Sequence, residues 1–86
     1  MARQAVSVKN NTGLHARPAA EFAKIAKSAL CEVYVEKDGK KANAKSVLGI
    51  LSLAICKGNV IDIITKGEGE DAALSQLVSF IDGLIE

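Results

Sequence analysis

Hydrophobic residues recur along this chain with two different periods, and the switching between them restricts the fold more than any single motif. Where the period is two, one face of a strand is buried; where it approaches 3.6, one face of a helix is. Gln4 to Val8 alternates, with Val6 and Val8 on one face and Ser7 on the other. Asn10-Asn11-Thr12-Gly13 is turn chemistry. From Pro18 to about Leu30 the spacing becomes helical. Ala19, Phe22, Ala23, Ala26, Ala29 and Leu30 share one side, opposite Arg17, Glu21, Lys24 and Ser28, and Ile25 falls outside the stripe. Cys31 to Lys37 alternates again, setting Val33 and Val35 against Glu32, Tyr34 and Glu36. Asp38-Gly39 signals a two-residue hairpin, and the lysine-rich Lys40 to Asn43 suits an exposed returning edge.

The second half repeats the scheme. Ala44 to Ala54 reads as helical, with Ser46 placed to cap its start. Ile50, Leu53 and Ala54 share a face with Val47 at its margin, which leaves Leu48 and Leu51 pointing elsewhere. Either that helix is irregular and deeply buried, or the leucines form an exposed patch of the kind that marks a partner site. The spacing leaves both open. Lys57-Gly58-Asn59 closes the helix, and Val60 to Lys66 is the most apolar strand, suited to the sheet interior. Acidic residues at Glu68, Glu70 and Asp71 precede a broad apolar face of Ala73, Leu74, Leu77, Val78, Phe80, Ile81, Leu84 and Ile85. The order is βαββαβα. One sheet carrying all helices on a single side buries every apolar face in it.

At 86 residues, 49% hydrophobic and 24% charged, the chain is one globular domain spanning 1–86. A net charge of +1 gives no global reason to bind nucleic acid or an anionic membrane, and one Tyr, two Phe and no Trp offer no stacking platform. Cys31 and Cys56 match no metal spacing, and a single histidine completes no usual zinc set with them. Both are expected to be reduced core or strand residues, although spacing alone leaves a disulfide open. The start of the chain lacks a signal-peptide core, and the apolar run from Val47 to Cys56 is far shorter than the ~20 residues that span a bilayer. A cytoplasmic protein without metal or cofactor is expected.

Gly13-Leu14-His15-Ala16-Arg17-Pro18 holds the only histidine and the only proline. Proline is tolerated in a first helical turn, so His15 falls at or just before a helix N-terminus. That end favours anions, phosphate above all. A neutral imidazole is a competent nucleophile near neutral pH, and Arg17 adds a permanently charged fork suited to phosphate oxygens. The pattern points to a histidine that takes up a phosphoryl group.

Two long motifs now bear comparison with a known family. Gly13-Leu14-His15-Ala16-Arg17-Pro18-Ala19 resembles the active-site signature of HPr, the phosphocarrier family of the bacterial sugar phosphotransferase system. Lys45-Ser46-Val47-Leu48-Gly49-Ile50-Leu51-Ser52-Leu53 resembles its second signature, around a regulatory serine. Length and element order match over essentially the whole chain. The resemblance implies an α+β open-faced β-sandwich: a four-stranded antiparallel sheet with three helices on one face. It implies that His15 accepts phosphate on Nδ1 from phosphorylated enzyme I and passes it to sugar-specific IIA domains, without turnover of its own. Ala16, Arg17 and Pro18 would form the phosphate cradle, and since Pro18 has no amide, the nearest backbone donors would be Ala16 and Arg17. Ser46 would be the target of an HPr kinase/phosphorylase, with a catabolite-control transcription factor as a further partner. Lys24, Lys27, Val47, Leu48 and Leu51 would dock partners. Leu48 and Leu51 stand where the family often has methionine or phenylalanine, which alters patch plasticity more than chemistry. The implied protein is a monomer. The alternatives are a regulatory module of the kind that has lost the histidine, against which His15 stands, and a nitrogen-branch paralogue, against which the Lys45–Gly49 run stands. A hydrolase would need a second catalytic base, a larger cleft or a metal set.

Overall fold

The computed structural model describes residues 1–84. Its elements are β1 (Ala2–Ser7), α1 (Ala16–Ser28), β2 (Glu32–Lys37), β3 (Lys40–Asn43), α2 (Val47–Ser52), β4 (Val60–Lys66) and α3 (Glu70–Asp82). The strands form one antiparallel sheet in the order β1-β4-β2-β3. The most apolar strand, β4, lies between β1 and β2, and lysine-rich β3 takes an edge. Asp38 and Gly39 join β2 to β3 with φ of 51° and 82°, the paired positive values that match the twist of a two-residue hairpin.

Register decides what each face carries. Val6 pairs with Ile61, Val35 with Ile63 and Val33 with Thr65, and all six side chains are buried. On the same side Phe22 of α1, Ile50 of α2 and Leu77 of α3 are fully buried in one apolar cluster with the valines and isoleucines of these pairs. The three helices therefore cover one face of the four-stranded sheet, as expected of an open-faced sandwich. The rings of Phe22 and Phe80 meet at 6.0 Å between centroids, holding α1 against α3. The other face is polar. Arg3 donates to Asp62 at 2.7 Å and lies 3.5 Å from Glu36, and the Lys41 ammonium sits 4.8 Å over the Tyr34 ring. Arg3 and Tyr34 flank Ile64 in the ladder, so that this residue is buried even on the uncovered face.

Three local expectations are corrected. Leu30 is 80% exposed, because α1 ends at Ser28 and Ala29 is already extended at ψ 145°, so the helical wheel no longer applies there. Ala54 is exposed, because α2 ends at Ser52 and the chain turns through a left-handed Ala54 at φ 51°. Cys31 is buried as expected, but Cys56 is exposed in the turn before β4; both are free thiols. In α3, Ala73, Leu77 and Ile81 are buried while Leu74, Val78 and Phe80 pack around them, as does Leu84 just beyond the helix, and Ile85 lies outside the described residues. No helix among the described residues is long and apolar enough to cross a membrane.

Candidate functional site

The loop between β1 and α1 is held from beneath. Val8 N–H donates to Asn59 O at 2.9 Å and Gly58 N–H returns to Val8 O at 2.8 Å, tying the end of β1 to the turn before β4. Asn10 is buried, and its Nδ2 donates to Gly13 O at 2.8 Å, which closes the loop on itself. Gly13 has φ +63°, and a Cβ there would lie 2.3 Å from Ile55 O and 2.8 Å from Cys56 Cα. Only glycine fits both the conformation and that approach. Leu14 N–H then donates to Ile55 O at 3.1 Å, and the Leu14 side chain is buried. The chain leaves the core at His15.

His15 is the N-cap of α1, with extended backbone at φ −80° and ψ −171°. Its carbonyl accepts Ala19 N–H at 2.8 Å, while its exposed side chain makes no capping hydrogen bond. The imidazole thus stands at the positive end of a 13-residue helix without being spent on the cap. Ala16 and Arg17 are the first-turn residues beside it, and both are exposed. Pro18 is buried. It has no amide, so its contribution to a cradle is to fix the start of the helix. The first turn carries no acidic residue to compete with an anion.

Ser46 caps α2: its exposed hydroxyl oxygen accepts Gly49 N–H at 3.1 Å. Leu48 is 79% exposed and Leu51 38% exposed, so of the two accounts of this helix the structure takes the exposed patch. Val47 is half-buried against the core, and Lys24 and Lys27 are exposed on α1. Two hydrogen bonds orient the helix pair. Leu14, before α1, is bonded to Ile55, after α2; Lys45 Nζ, before α2, donates to Ala29 O, after α1, at 3.1 Å. The packed helices therefore run in opposite directions. Ser46 lies toward the C-terminal end of α1 and His15 at the other, with Leu48 and Leu51 on the helix between. Gly13 to Pro18 and the Ser46 helix are brought into one surface region, with the His15 and Ser46 side chains toward its opposite ends.

Sequence reasoning missed the segment from Leu53 to Cys56 as the support of the histidine loop. The available signal was Gly13 itself, since a glycine ahead of a helix implies close backbone approach by something. What approaches it has no local signature. Among the described residues, no three His, Cys, Asp or Glu side chains gather as a metal set.

Comparison with known proteins agrees with this architecture. Residues 2–82 match the family model described as the PTS HPr component phosphorylation site. The HPr-like protein Crh of Halalkalibacterium halodurans is 49% identical over 82 residues, covering 95% of this chain and 98% of that protein. The structure of HPr-C-His from Thermoanaerobacter tengcongensis superposes with a TM-score of 0.93 at 45% identity, covering 95% of this chain and 92% of that one. The Bacillus subtilis Crh structure, whose description reports a swapped domain in an intertwined dimer, superposes with a TM-score of 0.78 at 43% identity, covering 100% and 99%. With sequence and architecture agreeing over nearly its whole length, the chain belongs to the HPr family of the phosphotransferase system.

Proposed function

We propose that this chain is a phosphoryl carrier without turnover of its own. His15 accepts a phosphoryl group from phosphorylated enzyme I and gives it to sugar-specific IIA domains in the cytoplasm. The observation that carries the reading is the exposed His15 ring at the N-terminus of α1, uncommitted to capping. In the transfer a neutral ring nitrogen attacks phosphorus, the donor's nitrogen–phosphorus bond breaks, and the donor histidine leaves with that electron pair. The first-turn amides of Ala16 and Arg17 and the guanidinium of Arg17 stabilise the charge on the phosphoryl oxygens. Lys24 and Lys27 on α1, with Leu48, Leu51 and the edge of Val47, form a basic and apolar surface for partners with acidic rims.

Phosphorylation of Ser46 by an HPr kinase/phosphorylase regulates the carrier and supplies the form that a catabolite-control transcription factor binds. Its support is the exposed, capping hydroxyl beside that surface. The likeness to Crh proteins favours a second reading, a regulatory HPr paralogue that serves as a catabolite-control binding module. We take the carrier to be a monomer. A single mass by light scattering separates it from the exchanged dimer reported for the Bacillus subtilis relative.

One experiment separates the two readings. Incubated with phosphoenolpyruvate and enzyme I, the protein is expected to gain one phosphate that is lost in acid, because protonation of the ring labilises an N-linked phosphoryl group. His15→Ala should gain none. Uptake by that variant, or no uptake by the parent, refutes the carrier reading; modification only by an ATP-dependent kinase at Ser46 establishes the regulatory one.

A further inference from the structure

Lys37 ends β2 opposite Lys40, at the hairpin turn. A lysine there would ordinarily be solvated, but this one is half-buried and its Nζ donates to two successive carbonyls, Leu53 O at 3.0 Å and Ala54 O at 2.9 Å. Those carbonyls close the C-terminal end of α2, where a cation is favoured. The Cys56 thiol donates to the same Ala54 carbonyl at 3.3 Å. Ala54 itself has φ +51°, a conformation that non-glycine residues adopt rarely and keep only where the surroundings hold it. The next residue, Ile55, is buried, and its carbonyl takes Leu14 N–H at 3.1 Å with Gly13 lying against it. One residue further on is His15. An unbroken path thus runs from the sheet through Lys37, the backbone of residues 53–55 and Leu14 to the imidazole.

We infer that Lys37 is a positioning residue for phosphoryl transfer, a strut whose ammonium group fixes residues 53–55 and through them the His15 loop. The inference rests on the carrier reading and adds to it a residue outside both signature motifs. Transfer between two histidines depends on placement of the accepting nitrogen, and small displacements cost rate. The strut acts on the geometry of the acceptor, not on the phosphoryl group.

The test uses the full-length chain, its Lys37→Met and Lys37→Arg variants, amide hydrogen exchange, and steady-state phosphorylation by phosphorylated enzyme I. In Lys37→Met, exchange at Leu14 should rise roughly tenfold while Ile63, in the central strand, changes by less than about twofold. The kcat should fall roughly tenfold with KM within about twofold, since the docking side chains are untouched. Lys37→Arg, which keeps the charge and two donors, should bring both readouts back to within about threefold of the parent. Unchanged exchange at Leu14, a rise shared equally by Ile63, an unaltered kcat, or no recovery with arginine overturns the proposal. If the parent itself takes no phosphate, the carrier reading fails and the transfer role falls with it. Exchange at Leu14 then still decides whether the strut exists.

Discussion

Two residues in left-handed conformation, one in the histidine loop and one in the segment that supports it, are not equivalent. Gly13 at φ +63° has no Cβ, and none would fit against Ile55. Ala54 at φ +51° carries one. An L-residue there costs about 1–2 kcal/mol in backbone strain. Glycine would relieve that cost but would add about 0.4–1 kcal/mol of conformational entropy to the unfolded chain. Strain is the larger effect, so Ala54→Gly should stabilise the protein by about 0.5–1 kcal/mol. In a domain of this size that is a rise of about 2–8 °C in melting temperature, measurable by calorimetry. A lower melting temperature would mean that the carbonyl bonds from Lys37 and Cys56 need the stiffness of alanine at this position. The residue scale is also where the sequence was hardest to read. Cys56 and Ala54 look apolar in one dimension, but both follow a helix that stops early, so no period assigns their direction. Lys37 and the carbonyls it binds are 16 and 17 residues apart, with nothing local to announce the contact.

Among the elements, strands were legible from short-range signals: β3 has the bounds that the Asp38-Gly39 hairpin and its lysine-rich edge give it, and β4 those of its apolar run. Helix starts were legible from Pro18 and Ser46, helix ends much less so. α1 and α2 both stop without a glycine, which displaced Leu30 and Ala54 from their expected faces. The shortness of α2 has a functional consequence. At about 1.5 Å per residue its six residues span roughly 9 Å, and the opposed helices place Ser46 at the end of α2 away from the Leu14–Ile55 bond beneath His15. On the proposed reading, a phosphate on Ser46 should therefore act on the partner that covers α2 and not on the imidazole. It keeps the acceptor that caps Gly49 and gains from the helix dipole, so the fold should tolerate it. Ser46→Asp should stay within about 1 kcal/mol of the parent in stability. It should slow phosphate uptake from enzyme I at low salt, and part of the loss should recover as salt rises and screens a wet interface. Ser46→Ala is the control, since removing the cap alone costs about 1 kcal/mol. If Ser46→Asp is phosphorylated at His15 as fast as the parent at low salt, the serine is only a cap.

At the scale of the whole molecule, first strand and last helix are joined by one carboxylate. Glu70, at the start of α3, lies 2.8 Å from the amino group of Met1 and accepts Gly67 N–H at 3.0 Å. It thereby links the outer end of β1 to the entry of α3, the two elements farthest apart in sequence. The amino-terminal hydrogen bond, followed by that of the Gly67 amide, holds the Glu70 carboxyl below its ordinary pKa of 4.5. A carboxylate with a depressed folded-state pKa binds protons more readily in the unfolded chain. Its stabilisation is therefore complete above the unfolded value and is lost as pH falls through the folded one. Glu70→Gln removes the charge while keeping an oxygen for Gly67. At pH 7 the variant should melt below the parent, by an amount kept small because the amino group is exposed. That gap should hold from pH 7 down to about 4.5 and shrink below it, as the parent's own carboxylate is neutralised. Acetylating the amino terminus of the parent should reproduce part of the loss at pH 7, because it removes the larger of the two causes and leaves the Gly67 bond. Melting curves of the three proteins between pH 7 and pH 3 decide it. A gap that is the same at both ends would show that Glu70 contributes through packing and capping alone, and that β1 is held to the rest of the fold by its ladder with β4.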